Sequence, residues 1–257
     1  LRDRTGLLVL GLQPPVLACV MWAVFPAPTT RMLFMMALSC MWFGMSASVR
    51  ELISDRVIWQ REHRIGVGVV PYVGSKLLVM GAVVALQCAG LNLFLHVALG
   101  MGGEYAFDPV LSVLVCVLTG WVGMAVGFFT SSWWTSSEAA VGTLPLLLIP
   151  QITFSSVMVS MRDMEPLAKA FTWVTIQRYA FDAIIKCGEM VAIPTYGRGE
   201  WDSQPVNGAL YKLGLKFTDR ADDIGFSLQQ LIAILAGIIV VLVVATMLKV
   251  WHRARQS

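Results

Sequence analysis

The side chains capable of chemistry are few in this chain, and they are unevenly placed. Its three histidines, His63, His96 and His252, stand in three separate loops or ends, which argues against a metal site. Cys19, Cys40, Cys88 and Cys116 lie in long apolar runs, where a thiol behaves as a small hydrophobe, and Cys187 has no second cysteine near it in sequence. Glu104, Asp108 and Glu138 fall at the ends of apolar runs, so no carboxylate sits where a proton relay through a membrane would need it. No G-x-x-x-x-G-K-[ST] phosphate loop, H-E-x-x-H, Cys-x-x-Cys or G-x-S-x-G elbow occurs. No catalytic residue and no metal ligand are expected. What remains is one knot of charge, Arg50, Glu51, Asp55, Arg56, Arg61, Glu62 and Arg64. Met32–Val49 before it carries no charge, and Ile65–Gly103 after it carries only Lys76. The chemistry open to such a knot is ion pairing and the reception of force from a partner.

The elements that must hold this knot are set by composition. The chain is 57% hydrophobic and only 14% charged, well below the roughly 25% charge of a soluble domain. A hydrocarbon core about 30 Å thick needs about 20 apolar residues per helix. An all-α, polytopic membrane protein with six spans is expected, at about 6–25, 31–53, 70–99, 109–130, 139–161 and 227–250. Pro14, Pro15, Pro145 and Pro150 lie inside spans, where the carbonyls they release need partners from other helices. Residues 162–226 are the remaining extramembrane segment. Within it Glu165–Met190 reads as helix and Ala192–Arg220 as irregular loop.

Lys and Arg in short loops predict orientation. Arg2, Arg4, the Arg50–Arg64 group, Lys249, Arg253 and Arg255 fall on one side, which places both termini and the 50–66 segment in the cytoplasm. Residues 162–226 then face outward. The net charge of +3 reflects this topology and gives no reason to expect nucleic acid as a partner. The absence of an Asn-x-Ser/Thr sequon fits a bacterial inner membrane protein.

Three stretches carry a resemblance. They are FGMSASVRELISDRVIWQREHRIGVG (Phe43–Gly68), PYVGSKLLV (Pro71–Val79), and FSSVMV (Phe154–Val159) followed by FTWVTIQRYAFDAII (Phe171–Ile185). In order and spacing the chain resembles the membrane domain of an ATP-binding-cassette exporter of the G subfamily (type V), within the ABC-2 group. The resemblance implies a six-helix unit that pairs with a second copy around a central cavity. It also implies an ATPase domain, expected fused N-terminally ahead of Leu1, that binds ATP and Mg; this chain holds neither.

The resemblance implies the following site residues. Arg56, Arg61, Glu62 and Arg64 would couple the chain to the ATPase. Arg50, Glu51 and Lys76 would form a polar relay, with simple snorkelling of Arg50 and Lys76 as the alternative. Met41, Trp42, Phe43, Gly44, Pro145, Ile149, Ile152 and Thr153 would line a substrate cavity, and Val157 with Met158 would gate it; ordinary packing is the alternative for both groups. An apolar lining with few polar groups suits a lipidic or amphipathic substrate. Export of a polysaccharide or envelope glycan, and a lipid-modifying membrane enzyme, are the rival readings. The enzyme is disfavoured because Asp163, Glu165 and Asp182 have no histidine among them.

Overall fold

A computed structural model describes residues 4–103, 107–155, 165–188, 190–194, 201–205 and 226–254. Its helices are α1 (Arg4–Val24), α2 (Thr30–Ser48), α3 (Glu51–Ser54), α4 (Arg56–Arg64), α5 (Val69–Ala98), α6 (Pro109–Trp133), α7 (Ser137–Thr153), α8 (Pro166–Val174), α9 (Ile176–Ile185) and α10 (Leu228–Ala254). Side-chain caps mark several starts. Thr29 accepts from the Met32 amide, Asp108 from Val110 and Leu111, and Ser136 from Ala139. Pro109 occupies the first turn of α6, where no amide donor is needed.

Among the described residues, four helical segments are long and apolar enough to cross a bilayer: Thr30–Ser54, Val69–Ala98, Pro109–Trp133 and Leu228–Arg253. The first and fifth expected spans correspond to α1, whose apolar stretch is Leu8–Val24, and to α7, 17 residues long. The least and the most apolar of the four contrast in burial. Thr30–Ser54 has mean hydropathy 1.6 with 78% of its window buried, whereas Leu228–Arg253 has 3.1 with 17% buried. The most apolar helix is therefore the one whose side chains face outward, as expected where lipid, not the core, is the apolar solvent. The helix at the centre, α2, is the less apolar one.

Glycine lets α2 reach α6. A Cβ built on Gly44 would lie 1.9 Å from the Gly120 carbonyl oxygen, and one on Gly123 would lie 2.2 Å from that of Met41. At Gly127 it would meet Ser48 Oγ at 2.1 Å. The two backbones thus touch along about two turns, and Ser48 Oγ sits within bonding distance of the carbonyls of Gly44 (2.8 Å) and Met124 (2.9 Å). The Gly120–Gly123–Gly127 face has the spacing that lets helices pack closely in membranes, and it is occupied inside the chain by α2 and α5.

Polar groups join the other helices. On α6, Trp121 Nε1 donates to the Gly81 carbonyl of α5 at 3.0 Å, and Ser112 Oγ to Asn92 Oδ1 at 3.2 Å. In α1, Pro14 brings no amide hydrogen to the carbonyl four residues before it, that of Leu10. The Gln87 side-chain amide of α5 donates to that carbonyl at 2.6 Å.

Two local readings are corrected. Glu165–Met190 is not one helix: it breaks at Thr175, whose backbone is extended (ψ 116) and whose Oγ1 bonds back to the Phe171 carbonyl. α9 then turns into the bundle and buries Ala180, Phe181, Ala183 and Ile184, with Phe181 edge-on to Phe34 of α2 at 5.7 Å. Within Ala192–Arg220, expected as loop, β1 (Met190–Pro194) and β2 (Trp201–Pro205) pair antiparallel, Met190 opposite Pro205 and Pro194 opposite Trp201. The β-branched Val191 and Ile193 favour the extended form that glycines further along obscured.

The α2–α6 contact predicts a sharp contrast between two glycines. Gly44→Val should lower the unfolding free energy in detergent by about 2–3 kcal/mol or more, because rigid backbone stands where the new atoms must go. Gly142→Ala on α7, with nothing within 4 Å, should leave it level or raise it by up to about 1 kcal/mol. Denaturant titration followed by tryptophan fluorescence distinguishes the two.

Candidate functional site

The charged knot folds as two short helices at one end of the bundle. After α2 the chain turns at Val49 and Arg50, forms α3, and begins α4 at Asp55. α4 ends in a left-handed residue, Gly66 (φ 101), with Gly66 N–H donating to the His63 carbonyl and Val67 N–H to that of Glu62. This pair of bonds is the Schellman arrangement, and only glycine adopts it without strain. It turns the chain directly into α5.

The inner face of α4 is fixed by aromatic contact. Trp59 is buried, stacks on Tyr72 of α5 at 4.3 Å, and lies 5.0 Å from the His63 ring. His63 Nδ1 is 3.0 Å from the Val67 carbonyl, which can only accept, so Nδ1 is the donor. The outer face leaves Val57, Ile58 and Ile65 exposed beside Arg61. These aliphatic residues give an otherwise charged helix an apolar strip on its exposed side.

Charged side chains tie this end of the bundle together. Lys76 Nζ of α5 reaches Glu51 Oε2 at 3.0 Å and also bonds the Asp55 carboxylate. Asp55 is consequently not a side-chain cap for α4, although it occupies the capping position. Arg56 Nη2 donates to the Trp134 carbonyl at 2.6 Å, and Arg253 Nη2 of α10 to that of Trp133 at 2.9 Å. Both guanidiniums thus satisfy carbonyls at the C-terminal, electronegative end of α6. Burial, and then the charge of Arg253 nearby, pull the Arg56 guanidinium below its ordinary pKa. Lys249 Nζ lies over the Trp133 ring at 3.9 Å. α4, α6 and α10 are therefore held together at one end.

The expected residues distribute as follows. Arg56, Arg61, Glu62 and Arg64 all lie on α4, with Arg56 turned inward, Glu62 half-buried, and Arg61 and Arg64 exposed. Glu51 and Lys76 meet, but Arg50 is exposed and makes no side-chain bond; Asp55 completes the group in its place. Of the expected cavity set, Met41 and Phe43 are buried in packing and Gly44 touches α6, so these three do not face open space. The reason is geometric: residues 41 to 44 are consecutive on a helix and point about 100° apart. Trp42 is half-buried and lies on the one open stripe of α2 with Met35, Leu38 and Ser46. Pro145, Ile149 and Thr153 of α7 are exposed and Ile152 is half-buried. Val157 and Met158 lie outside the described residues. Spacing alone did not single out Asp55, Trp59, Tyr72 or Arg253; an aromatic on each side of the α4–α5 turn was the available signal for the middle two.

The sequence of residues 1–187 matches the family model described as ABC-2 type transporter. The chain is also 24% identical over 203 residues to an ABC transporter ATP-binding/permease protein of Mycobacterium tuberculosis, covering 70% of this chain and 23% of that protein. It spans less than a quarter of that relative's length.

The Lys76 group predicts a measurable coupling. In a double-mutant cycle, Lys76→Met and Glu51→Gln should show an interaction of about 1 kcal/mol, the value of a partly exposed pair with good geometry. Arg50→Gln combined with Lys76→Met should be additive to within about 0.5 kcal/mol. A coupling to Arg50 as large as that to Glu51 would place Arg50 in the group.

Proposed function

This chain belongs to the ABC-2 type transporter family, and on that premise we propose that it is the membrane-spanning part of an ATP-driven exporter of the G type. It moves a lipidic or amphipathic substrate outward by alternating access, as one of two copies around a shared cavity. The chain has no phosphate loop of its own, so ATP and Mg belong to an ATPase domain, fused or separate. The relative's name, ATP-binding/permease protein, supports such a pairing.

The observation that carries the reading is the binding of α4 to several spans at once. A domain seated on the outer face of α4, over Val57, Ile58, Arg61 and Ile65 with Glu62 at the edge, would move a helix joined to α5 through Lys76 and to α6 through Arg56. α6 in turn touches the central α2 along its glycines. A push at α4 therefore reaches α2, whose open stripe of Met35, Leu38, Trp42 and Ser46 forms one wall of the substrate path, with Pro145, Ile149, Ile152 and Thr153 of α7 beside it. That lining is largely apolar and favours an acyl chain over a hydrated sugar polymer. Val157 and Met158, next in sequence, form the proposed gate. The Lys and Arg balance places α4 and both termini in the cytoplasm.

The test uses the complete transporter, ATPase included, in proteoliposomes. Glu62→Ala should retain ATP binding and basal hydrolysis but lower ATP-dependent lipid translocation about tenfold, equal to about 1.4 kcal/mol of coupling. Wild-type translocation by this variant would remove α4 from the drive. Hydrolysis stimulated by a soluble glycan and not by lipid would replace the proposed substrate class.

A further inference from the structure

A cavity of about 340 Å³ opens behind α4, between its inner face, the start of α5 and the C-terminal ends of α6 and α10. That volume falls within the roughly 300–1,000 Å³ of small-ligand sites. Arg56, Arg64 and Arg253 line it, with Trp59 and Tyr72 as an aromatic wall and Ser131 behind. No carboxylate is among its lining residues. Glu51, Asp55 and Glu62 stand near Tyr72 but outside the lining, and the first two are engaged by Lys76.

The α6 carbonyls account for only part of this arrangement. Each of Arg56 and Arg253 commits one Nη2 to a carbonyl, and a guanidinium carries five N–H donors. The others meet no protein acceptor among the described residues. Two hydroxyls deepen the imbalance. Ser131 is fully buried and Tyr72 is 8% exposed, and neither Ser131 Oγ nor Tyr72 Oη has a hydrogen-bond partner. Buried hydroxyls without partners are costly and uncommon. Cations and donors converge here on a space with no carboxylate in its lining to receive them.

We propose that this cavity binds a phosphate-bearing anion, held by Arg56, Arg253 and Arg64 with Ser131 and Tyr72 donating from within. Guanidiniums recognise phosphate oxygens in pairs, which suits two of them converging on one space. Trp133, Trp134 and Trp251 stand exposed around the same end of the bundle, as aromatic residues do at headgroup depth. An anionic phospholipid headgroup is the source that this belt favours, and free phosphate shares the chemistry. The inference does not depend on what the protein transports.

The complete transporter is purified in mild detergent and titrated with phosphatidylglycerol or phosphatidylcholine, and retained lipid is counted by native mass spectrometry. The parent should retain phosphatidylglycerol preferentially. Arg253→Gln should weaken that retention about fivefold, the effect of one basic residue beside an anionic headgroup. Gln60→Glu, at an exposed lining position that makes no bond, should do the same by adding a negative charge without touching the α6 carbonyls. It keeps the test valid if Arg253→Gln fails to fold. Arg31→Gln, at the far end of α2, should have no effect. Displacement of the lipid by excess inorganic phosphate would identify soluble phosphate as the occupant, and persistence would identify the headgroup. Equal retention in parent and Gln60→Glu, or no preference between the lipids together with no phosphate binding, overturns the proposal.

Discussion

The rest of the structure depends on the direct meeting of two backbones, α2 and α6, at Gly44, Gly120, Gly123 and Gly127. In lipid there is no hydrophobic gain from pushing apolar helices together, so contact rests on packing and polar bonds. Removing side chains at four positions creates that contact, and Ser48 adds a hydroxyl between the two helices. Everything else is arranged around the pair. α5 joins through Trp121 and Asn92, and α9 enters beside Phe34. The C-terminal end of α6, fixed in place, presents the Trp133 and Trp134 carbonyls that Arg56 and Arg253 hold.

Polar ties at the α4 end, the Lys76 ion pairs and two guanidinium–carbonyl bonds, do a different kind of work. Each is partly exposed and worth little by itself, but each connects a different element. Lys76 ties α3 and the start of α4 to α5, Arg56 ties α4 to α6, and Arg253 ties α10 to α6. A set of weak ties at the rim can rearrange while the packed centre stays intact.

Much of this was legible in the sequence, and the boundary of legibility has physical causes. Apolar run length reveals long helices because membrane thickness sets it, and the charge knot stood out because everything around it is uncharged. Lys76 and Glu51 could be paired because Lys76 is the lone charge of its run and both stand at span ends. Asp55 could not be preferred over Arg50, since a turn at Val49 and Arg50 decides which side chain swings toward α5. Glycine spacing on α6 was visible, but spacing does not say which neighbour fills the face; α2 does. The fate of α9 was hidden because a helix that dips into a bundle and one that lies on a surface share the same period. Arg56, Ser131 and Arg253 lie on three elements far apart in the chain, and no local pattern joins them.

Gln87 and Leu10 bear on the order in which the protein is made. Ribosomes deliver α1 first, and the carbonyl of Leu10 faces a proline that has nothing to donate. Its partner is 77 residues downstream. Until α5 is synthesised, α1 carries an exposed acceptor that hydrocarbon cannot satisfy. The carbonyl that Pro14 leaves open thus gains its partner only after residue 87 has been made, so the polar closure of α1 is a late, long-range event in the assembly of the bundle.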